Sequence, residues 1–319
     1  MRKKFRSISK KSLLSILLGL GFLFFVPNRS AAQDLASQGI SLSPIHYEFS
    51  ADPGGTVSEK IKVYNPTDSQ FLVNMETEDF EPVGDAGQVV VRENNNRRYS
   101  LKDWVTVEPK EFTLAPRAEQ FVNFTIRVPN NADPGGKYGS ILAVMGGTQK
   151  ASQTGSVISQ KVGSLVLLSV SGPVTESLSV EEIAVSPFSE YGPVPFAIRF
   201  ENQGTVHVKP RGFLTITDML GRKTSDLEIE GQNVIPGASR KIEVKLDRKW
   251  LFGKYSARLV GDYGQERIPL NSPVVYFWVI PWKVTLAVLL LISLAVYVLY
   301  LSRKRWAAAL KILFKGENR

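Results

Sequence analysis

The chain contains no cysteine, and only two histidines, His46 and His207, occur among its 319 residues. The first absence removes disulfides, thiolate metal sites and a cysteine nucleophile together, so a fold built from this sequence must be held by its cores. The second removes most imidazole chemistry, because neither histidine has a second imidazole or a ligand-spaced pair of carboxylates near it in the chain. Also lacking are a GxSxG nucleophile elbow, an HExxH metal helix and a phosphate loop. No catalytic residue, metal ligand or cofactor-binding residue is assigned, and the chain reads as a non-enzyme.

Excess charge is lacking everywhere but at the two ends. Arg2, Lys3, Lys4, Arg6, Lys10 and Lys11 carry +6; Arg303, Lys304, Arg305, Lys311, Lys315 and Arg319 against Glu317 carry +5; of the net +9 this leaves −2 for everything between. That middle offers no footprint for a phosphate backbone, so nucleic acid is not an expected partner.

Long apolar runs are scarce as well, and the two that exist lie beside those basic ends. The first, Leu13 to Val26, follows the cationic start and is closed by Pro27 and the small-residue site Ser30-Ala31-Ala32. This is the layout of a secretory signal peptide over residues 1–32, cut before Gln33. In the second, residues 284–302 carry no formal charge; at ~1.5 Å per residue they reach about 28 Å, close to the ~30 Å of a bilayer's hydrocarbon. A transmembrane helix is expected over 279–302. Trp278 and Trp282 before it, and Arg303, Lys304, Arg305 and Trp306 after it, are the expected membrane-interface anchors. The positive flank sets a single pass through the plasma membrane, with the ectodomain extracytoplasmic and a basic tail, 303–319, in the cytoplasm. In that tail Trp306, Leu310 and Leu313 recur at helical spacing between lysines. An amphipathic helix on an anionic leaflet, a docking peptide and plain stop-transfer charge all remain open.

From Ile40 to Ser272 short alternating runs are separated by Pro, Gly, Asn and Asp, and no amphipathic helix stands out. Val57, Ile61 and Val63 share one face of a run that stops at Asn65-Pro66, and Gln120 to Val128 follows the same rule. Half-buried strands of this kind need an apolar partner layer. The expected fold is all-β: two immunoglobulin-like antiparallel β-sandwich domains, 33–172 and 173–275, meeting near Ser171-Gly172-Pro173 and followed by one transmembrane helix. The tetrapeptide Asp-Pro-Gly-Gly occurs at 52–55 and at 133–136, and each copy is expected to form a type II turn with Gly at the positive-φ position.

Few polar groups stand out as a site. Arg92, Asn95, Arg97, Arg98 and Tyr99 lie in a long polar hairpin tip, the candidate ligand-contact loop, although a merely mobile loop fits the same residues. Glu76, Glu78, Asp79 and Glu81 are expected to form a solvated face rather than a calcium site. Trp104 is expected in the core, while Trp250 is placed to stack on a sugar ring.

The segments "DPGGTVSEKIKVYNPTDSQFLVNMETEDF" and "WVTVEPKEFTLAPRAEQFVNFTIRVPNNADPGGKYGSILAVMGG", within Asp52 to Gly147, resemble the N-terminal module of the WxL-interacting proteins of Gram-positive surfaces. The resemblance implies a peptidoglycan-associated β-sandwich, with a second module and WxL partners beside it. The stretch "SLSPIHYEFSADPGGTVSEKIKVYNP" is also similar to the first domain of pilus chaperones. The expected function is therefore non-enzymatic binding or scaffolding at the bacterial envelope. Its partners would be the lipid bilayer through one span and either peptidoglycan or another surface protein. An assembly chaperone acting by strand addition and a transmembrane sensor are the alternatives.

Overall fold

The computed structural model describes residues 39–92, 97–146 and 160–315, and the side chains as far as Arg303. Residues 1–32 (the expected signal peptide), Asn95 and the side chains of Lys304, Arg305 and Trp306 lie outside the described residues.

Two facing sheets are built from residues up to Val170. One has the order β1-β3-β8-β6, from β1 (Ser41–Ser43), β3 (Thr56–Tyr64), β6 (Val105–Glu108) and β8 (Glu119–Arg127). The other has the order β2-β10-β9-β4-β5, from β2 (His46–Ala51), β4 (Phe71–Val83), β5 (Gln88–Val91), β9 (Gly135–Gly146) and β10 (Gln160–Val170), with β7 (Glu111–Leu114) also on β4. The alternation read from the sequence is what closes them. Ile61, Val63, Val122, Phe124 and Ile126 from the first sheet form one buried cluster with Val73, Met75, Ile141, Val166 and Leu168 from the second. The first Asp-Pro-Gly-Gly makes the expected turn: Gly54 has φ +80° and the Gly55 N–H donates to the Asp52 carbonyl at 2.9 Å.

Two more sheets follow. One has the order β11-β13-β16, from β11 (Leu178–Val185), β13 (Val194–Asn202) and β16 (Ser239–Leu246). Its partner has the order β12-β19-β17-β14-β15, from β12 (Phe188–Ser189), β14 (Arg211–Asp218), β15 (Lys223–Ile229), β17 (Gly253–Tyr263) and β19 (Val275–Val279), with β18 (Ile268–Asn271) on β17. Val194, Phe196, Ile198 and Phe200 alternate inward on β13 and meet Leu214, Ile216, Ala257, Leu259 and Phe277. Phe277 is stacked on Tyr255 and edge-on to Phe196.

The sheets are not wholly antiparallel, as had been expected. β2 runs parallel to β10, and β12 parallel to β19. In the first case the chain leaves β1 on one sheet, turns at Pro44 and Ile45, whose carbonyls accept from Ser164 Oγ and the Leu165 N–H, and continues along β10 of the other sheet. Crossing between layers this way reverses its partner without reversing its direction.

One helix, α1 (Trp282–Lys315), ends the described chain. It starts at Trp282 rather than at 279 because Val279 is still paired with Gly253 in the sheet, and it carries the expected tail as one continuous helix to Lys315. Its segment Trp282–Arg303, 22 residues, is long and apolar enough to cross a membrane, and the rest of the chain buries none of it. Side chains such as Leu286, Leu290, Leu294 and Leu301 are exposed to the surroundings. A soluble surface rarely shows so extensive an apolar patch.

Neighbours on β8 provide a check on register. Phe124→Ala is expected to lower the unfolding free energy by about 3–5 kcal/mol, whereas Phe121→Ala, on the open face three positions earlier, should change it by no more than about 0.5 kcal/mol. Urea unfolding of the two variants measures this, and similar losses would contradict the assigned inward face.

Candidate functional site: the cleft between the sheet pairs

Most of β9 is buried on both faces, which a sandwich strand with one solvated side is not. The reason is a third apolar cluster outside either sandwich core. Phe80, Tyr138 and Leu167 are buried there together with the half-buried Val89, Tyr99 and Ile235, the last contributed by the β15–β16 connection. This cluster joins the two pairs of sheets.

The second Asp-Pro-Gly-Gly serves that junction instead of forming the expected closed turn. The Gly136 N–H donates to the Thr205 carbonyl at 2.9 Å, and a β-carbon on Gly135 (φ +117°) would sit 2.7 Å from that same oxygen. At Gly136 a β-carbon would collide with the Tyr138 hydroxyl. Gly135 is needed for close approach between the sheet pairs, and Gly136 leaves the space that the Tyr138 hydroxyl fills on the same strand. The β4–β5 hairpin adds a second tie: the Asp85 carboxylate pairs with Arg199 at 2.9 Å, and its carbonyl accepts the Lys241 N–H at 2.6 Å.

Between these ties a polar chain crosses the junction. Tyr138 Oη lies 3.3 Å from His207 Nδ1, and His207 Nε2 lies 3.5 Å from Glu48 Oε1. The other Glu48 oxygen accepts from Lys209 Nζ and from Asn233 Nδ2. A neutral His207 with its proton on Nε2 satisfies the chain, since Tyr138 then donates to Nδ1 and Nε2 donates to the carboxylate. The environment favours that state: burial lowers the His207 pKa, against the opposing pull of Glu48. Burial also raises the Tyr138 hydroxyl, keeping it a donor. For Glu48 burial acts upward, but the hydrogen bonds from Lys209 and Asn233 and the nearby charges outweigh it and hold the carboxyl low.

Alongside this chain opens a cleft of about 1300 Å³. Glu48, Phe49 and Ser50 of β2 form one wall, Ser171 to Glu176 the floor, and His207, Lys209, Arg211 and Gly264 to Ile268 the other wall. β2 is an edge strand, hydrogen-bonded to β10 on one side only among the described residues. Tyr47 and Phe49 turn inward to the core while His46, Glu48 and Ser50 turn outward. Arg211 and Arg267 reach the cleft exposed and, among the described residues, pair with no carboxylate. Such a site can hold an extended chain against a strand edge and neutralise negative charge. No group of three or more acidic or histidine side chains among the described residues could hold a metal ion.

The described residues of the expected ligand-contact loop lie in three settings. Arg92 is engaged by Glu81, the Arg98 carbonyl accepts Lys137 Nζ, and Tyr99 packs at 6.1 Å against Tyr138. Arg97 and Arg98 are exposed on a short 3-10 turn. The structure thus ties the described part of this loop to the junction cluster. Of the acidic patch, Glu76 is paired with Lys161 at 2.8 Å, but Asp79 is 1% exposed and not solvated. It accepts from Ser100 Oγ and from the Leu101 and Lys102 N–H groups, pinning the loop's return. Trp104 packs at the core's edge under Lys137. His46 is exposed on β2, whereas His207, which has no second imidazole or ligand-spaced carboxylates near it in the chain, is the polar centre of the junction. Only the apolar setting of Val206-His207-Val208 hinted at it in sequence.

No family model matches the chain, and no curated protein matches it by sequence. Among solved structures, the class 5 fimbriae chaperone CfaA aligns over 76% of this chain and 100% of its own at 14% identity, with a TM-score of 0.38. The E. coli chaperone DraB aligns over 76% and 98% at 12% identity and TM-score 0.34. The Pseudomonas aeruginosa CupB2 chaperone aligns over 75% and 100% at 8% identity and TM-score 0.34. Likenesses this loose assign no function.

The lowered His207 pKa predicts an acid-sensitive junction. Because its folded pKa lies below the unfolded value of about 6.5, the unfolded chain binds the extra proton, and stability present above that value is lost as pH falls through the folded pKa. Thermal unfolding followed from pH 8 to pH 5 should show the melting temperature falling below about pH 6.5. His207→Gln should flatten that segment, and an unchanged slope in the variant would assign the loss elsewhere.

Proposed function

We propose that the chain is a single-pass membrane protein with an extracytoplasmic ectodomain of two immunoglobulin-like sandwiches, 33–172 and 173–275, that binds without bond chemistry. The observation that carries this is the cleft. Among the described residues it combines an unpaired strand edge, two unpaired guanidinium groups and a fixed junction, while the Tyr138 hydroxyl of the neighbouring hydrogen-bond chain is buried in that junction, at 2% exposure, and not presented to a substrate. An extended segment of a surface protein, added along β2 with its carboxylates toward Arg211 and Arg267, fits those features best. Main-chain hydrogen bonds to the edge supply affinity and the guanidiniums fix direction.

Height above the membrane supports the same reading. β17 runs from Gly253, paired with Val279 just before α1, to Tyr263, whose next residue enters the cleft wall. At about 3.3 Å per residue the cleft stands roughly 33 Å along that strand from the membrane end. The resemblance of residues 52–147 to WxL-interacting proteins points to a Gram-positive envelope as the setting. Peptidoglycan is the second reading: the cleft is large for a compact ligand, and the stem peptides of a wall polymer carry carboxylates.

Full-length protein in lipid nanodiscs, exposed separately to purified cell wall and to a cross-linked surface proteome, separates the two. Replacing Arg211 and Arg267 together by Gln should weaken retention of the true partner about tenfold or more, since a hydrogen bond to a charged group contributes about 1.5 kcal/mol or more. Retention of neither material, or retention indifferent to the double substitution, would remove the cleft as the binding site.

A further inference from the structure

The end of the later sheets farthest from the cleft carries large apolar side chains that nothing among the described residues covers. Met219 and Leu220 at the β14–β15 turn are 60% and 69% exposed, and Trp250 and Phe252, between β16 and β17, are 67% and 65% exposed. Neither segment is a loose loop. Asp218 holds the first through the Leu220 and Arg222 N–H groups and an ion pair to Arg222 at 2.9 Å. In the second, Leu251 is buried, the Phe252 N–H donates to Tyr255 Oη, and Trp250 stands edge-on to Tyr191 at 5.7 Å. Rigid presentation of four such groups leaves apolar area in water, which is unfavourable unless something removes it.

Strand register puts both tips where the helix begins. Asp218, the last residue of β14, is opposite Tyr255; Gly253 is opposite Val279; and a β-carbon on Gly253 would lie 2.7 Å from the Met219 methyl. Only Ile280 and Pro281 separate β19 from α1. Lys283 then anchors the helix start to Glu190 at 2.9 Å. With no linker, this end of the fold cannot stand away from whatever surface α1 enters.

We propose that the Met219-Leu220 and Trp250-Phe252 tips dock in the interfacial layer of the lipid bilayer, level with Trp278 and Trp282. The inference rests on the reading of α1 as a membrane span. Aromatic rings with a polar edge favour the headgroup level, and aliphatic tips gain by entering the upper acyl region. Arg248 and Lys249 directly precede Trp250, and Lys254 is paired with Trp278 on β19, so cations accompany the second tip and would meet anionic headgroups there. The sandwich is thereby set at a fixed tilt and does not swivel on its helix.

A chain without native cysteine permits single-cysteine spin labelling at chosen sites. Full-length L220C and F252C are compared with V90C, an exposed site on β5, and with L291C in the middle of α1, all in phosphatidylethanolamine–phosphatidylglycerol bilayers. Accessibility to a water-soluble nickel chelate and to oxygen is read by power saturation. L291C should be shielded from nickel and open to oxygen, which tests the span alone. L220C and F252C should show nickel accessibility severalfold below V90C, with oxygen accessibility between V90C and L291C. If L291C is shielded while L220C and F252C match V90C, the docking is wrong and the span stands. If L291C itself is open to nickel, the membrane reading fails and the docking with it.

Discussion

Tyr138 is the side chain on which the two pairs of sheets meet. Its ring completes an apolar cluster that belongs to neither sandwich core, and its hydroxyl opens the hydrogen-bond chain through His207 to Glu48. Without disulfides, relative placement of the two units depends on contacts of this kind, which have to be apolar enough to exclude water and polar enough to fix an angle. The aromatic contacts supply the first property. The His207 relay supplies the second, because a donor–acceptor sequence of fixed direction is satisfied at one geometry only.

The cleft follows from that placement. Glu48 belongs to β2, while Lys209, Asn233 and Arg211 belong to the later part of the chain, so the site exists only while the junction holds. Glu48 also occupies Lys209, which leaves Arg211 and Arg267 as the cations without a carboxylate partner among the described residues of the cleft. The ion pair thus divides the cationic wall into a part that holds the structure and a part left exposed, the part assigned to a ligand in the proposed function.

The strands were legible because one solvated face imposes a period of two, as Val122, Phe124 and Ile126 show. The apolar helix was legible from length and the lack of charge. The junction was not. Two identical tetrapeptides behave differently because only the second faces Thr205 across the interface, and nothing local in Asp-Pro-Gly-Gly encodes that contact. Asp79 looked solvated among its acidic neighbours, yet its burial depends on residues 100–102 returning over it. The guanidiniums of the proposed site lie 56 residues apart in the chain and near no recognisable motif. Local pattern reports which side of a strand is buried; it does not report what lies above the other side.

A fixed junction at one end and a linker-free helix at the other have a joint consequence. In the membrane-anchored binding protein proposed above, angular freedom lost once, on folding and insertion, would not be lost again when a partner binds, so a larger share of each contact would appear as affinity. On the proposed reading of α1 as a span, the cleft would be confined to a narrow band above the membrane, and a partner displayed from the same surface would meet it at an effective concentration set by geometry instead of bulk content. A partner whose extended segment cannot reach that band is rejected whatever its sequence. The stiffness of β17 and its neighbours therefore contributes to selectivity, along with the side chains of the cleft.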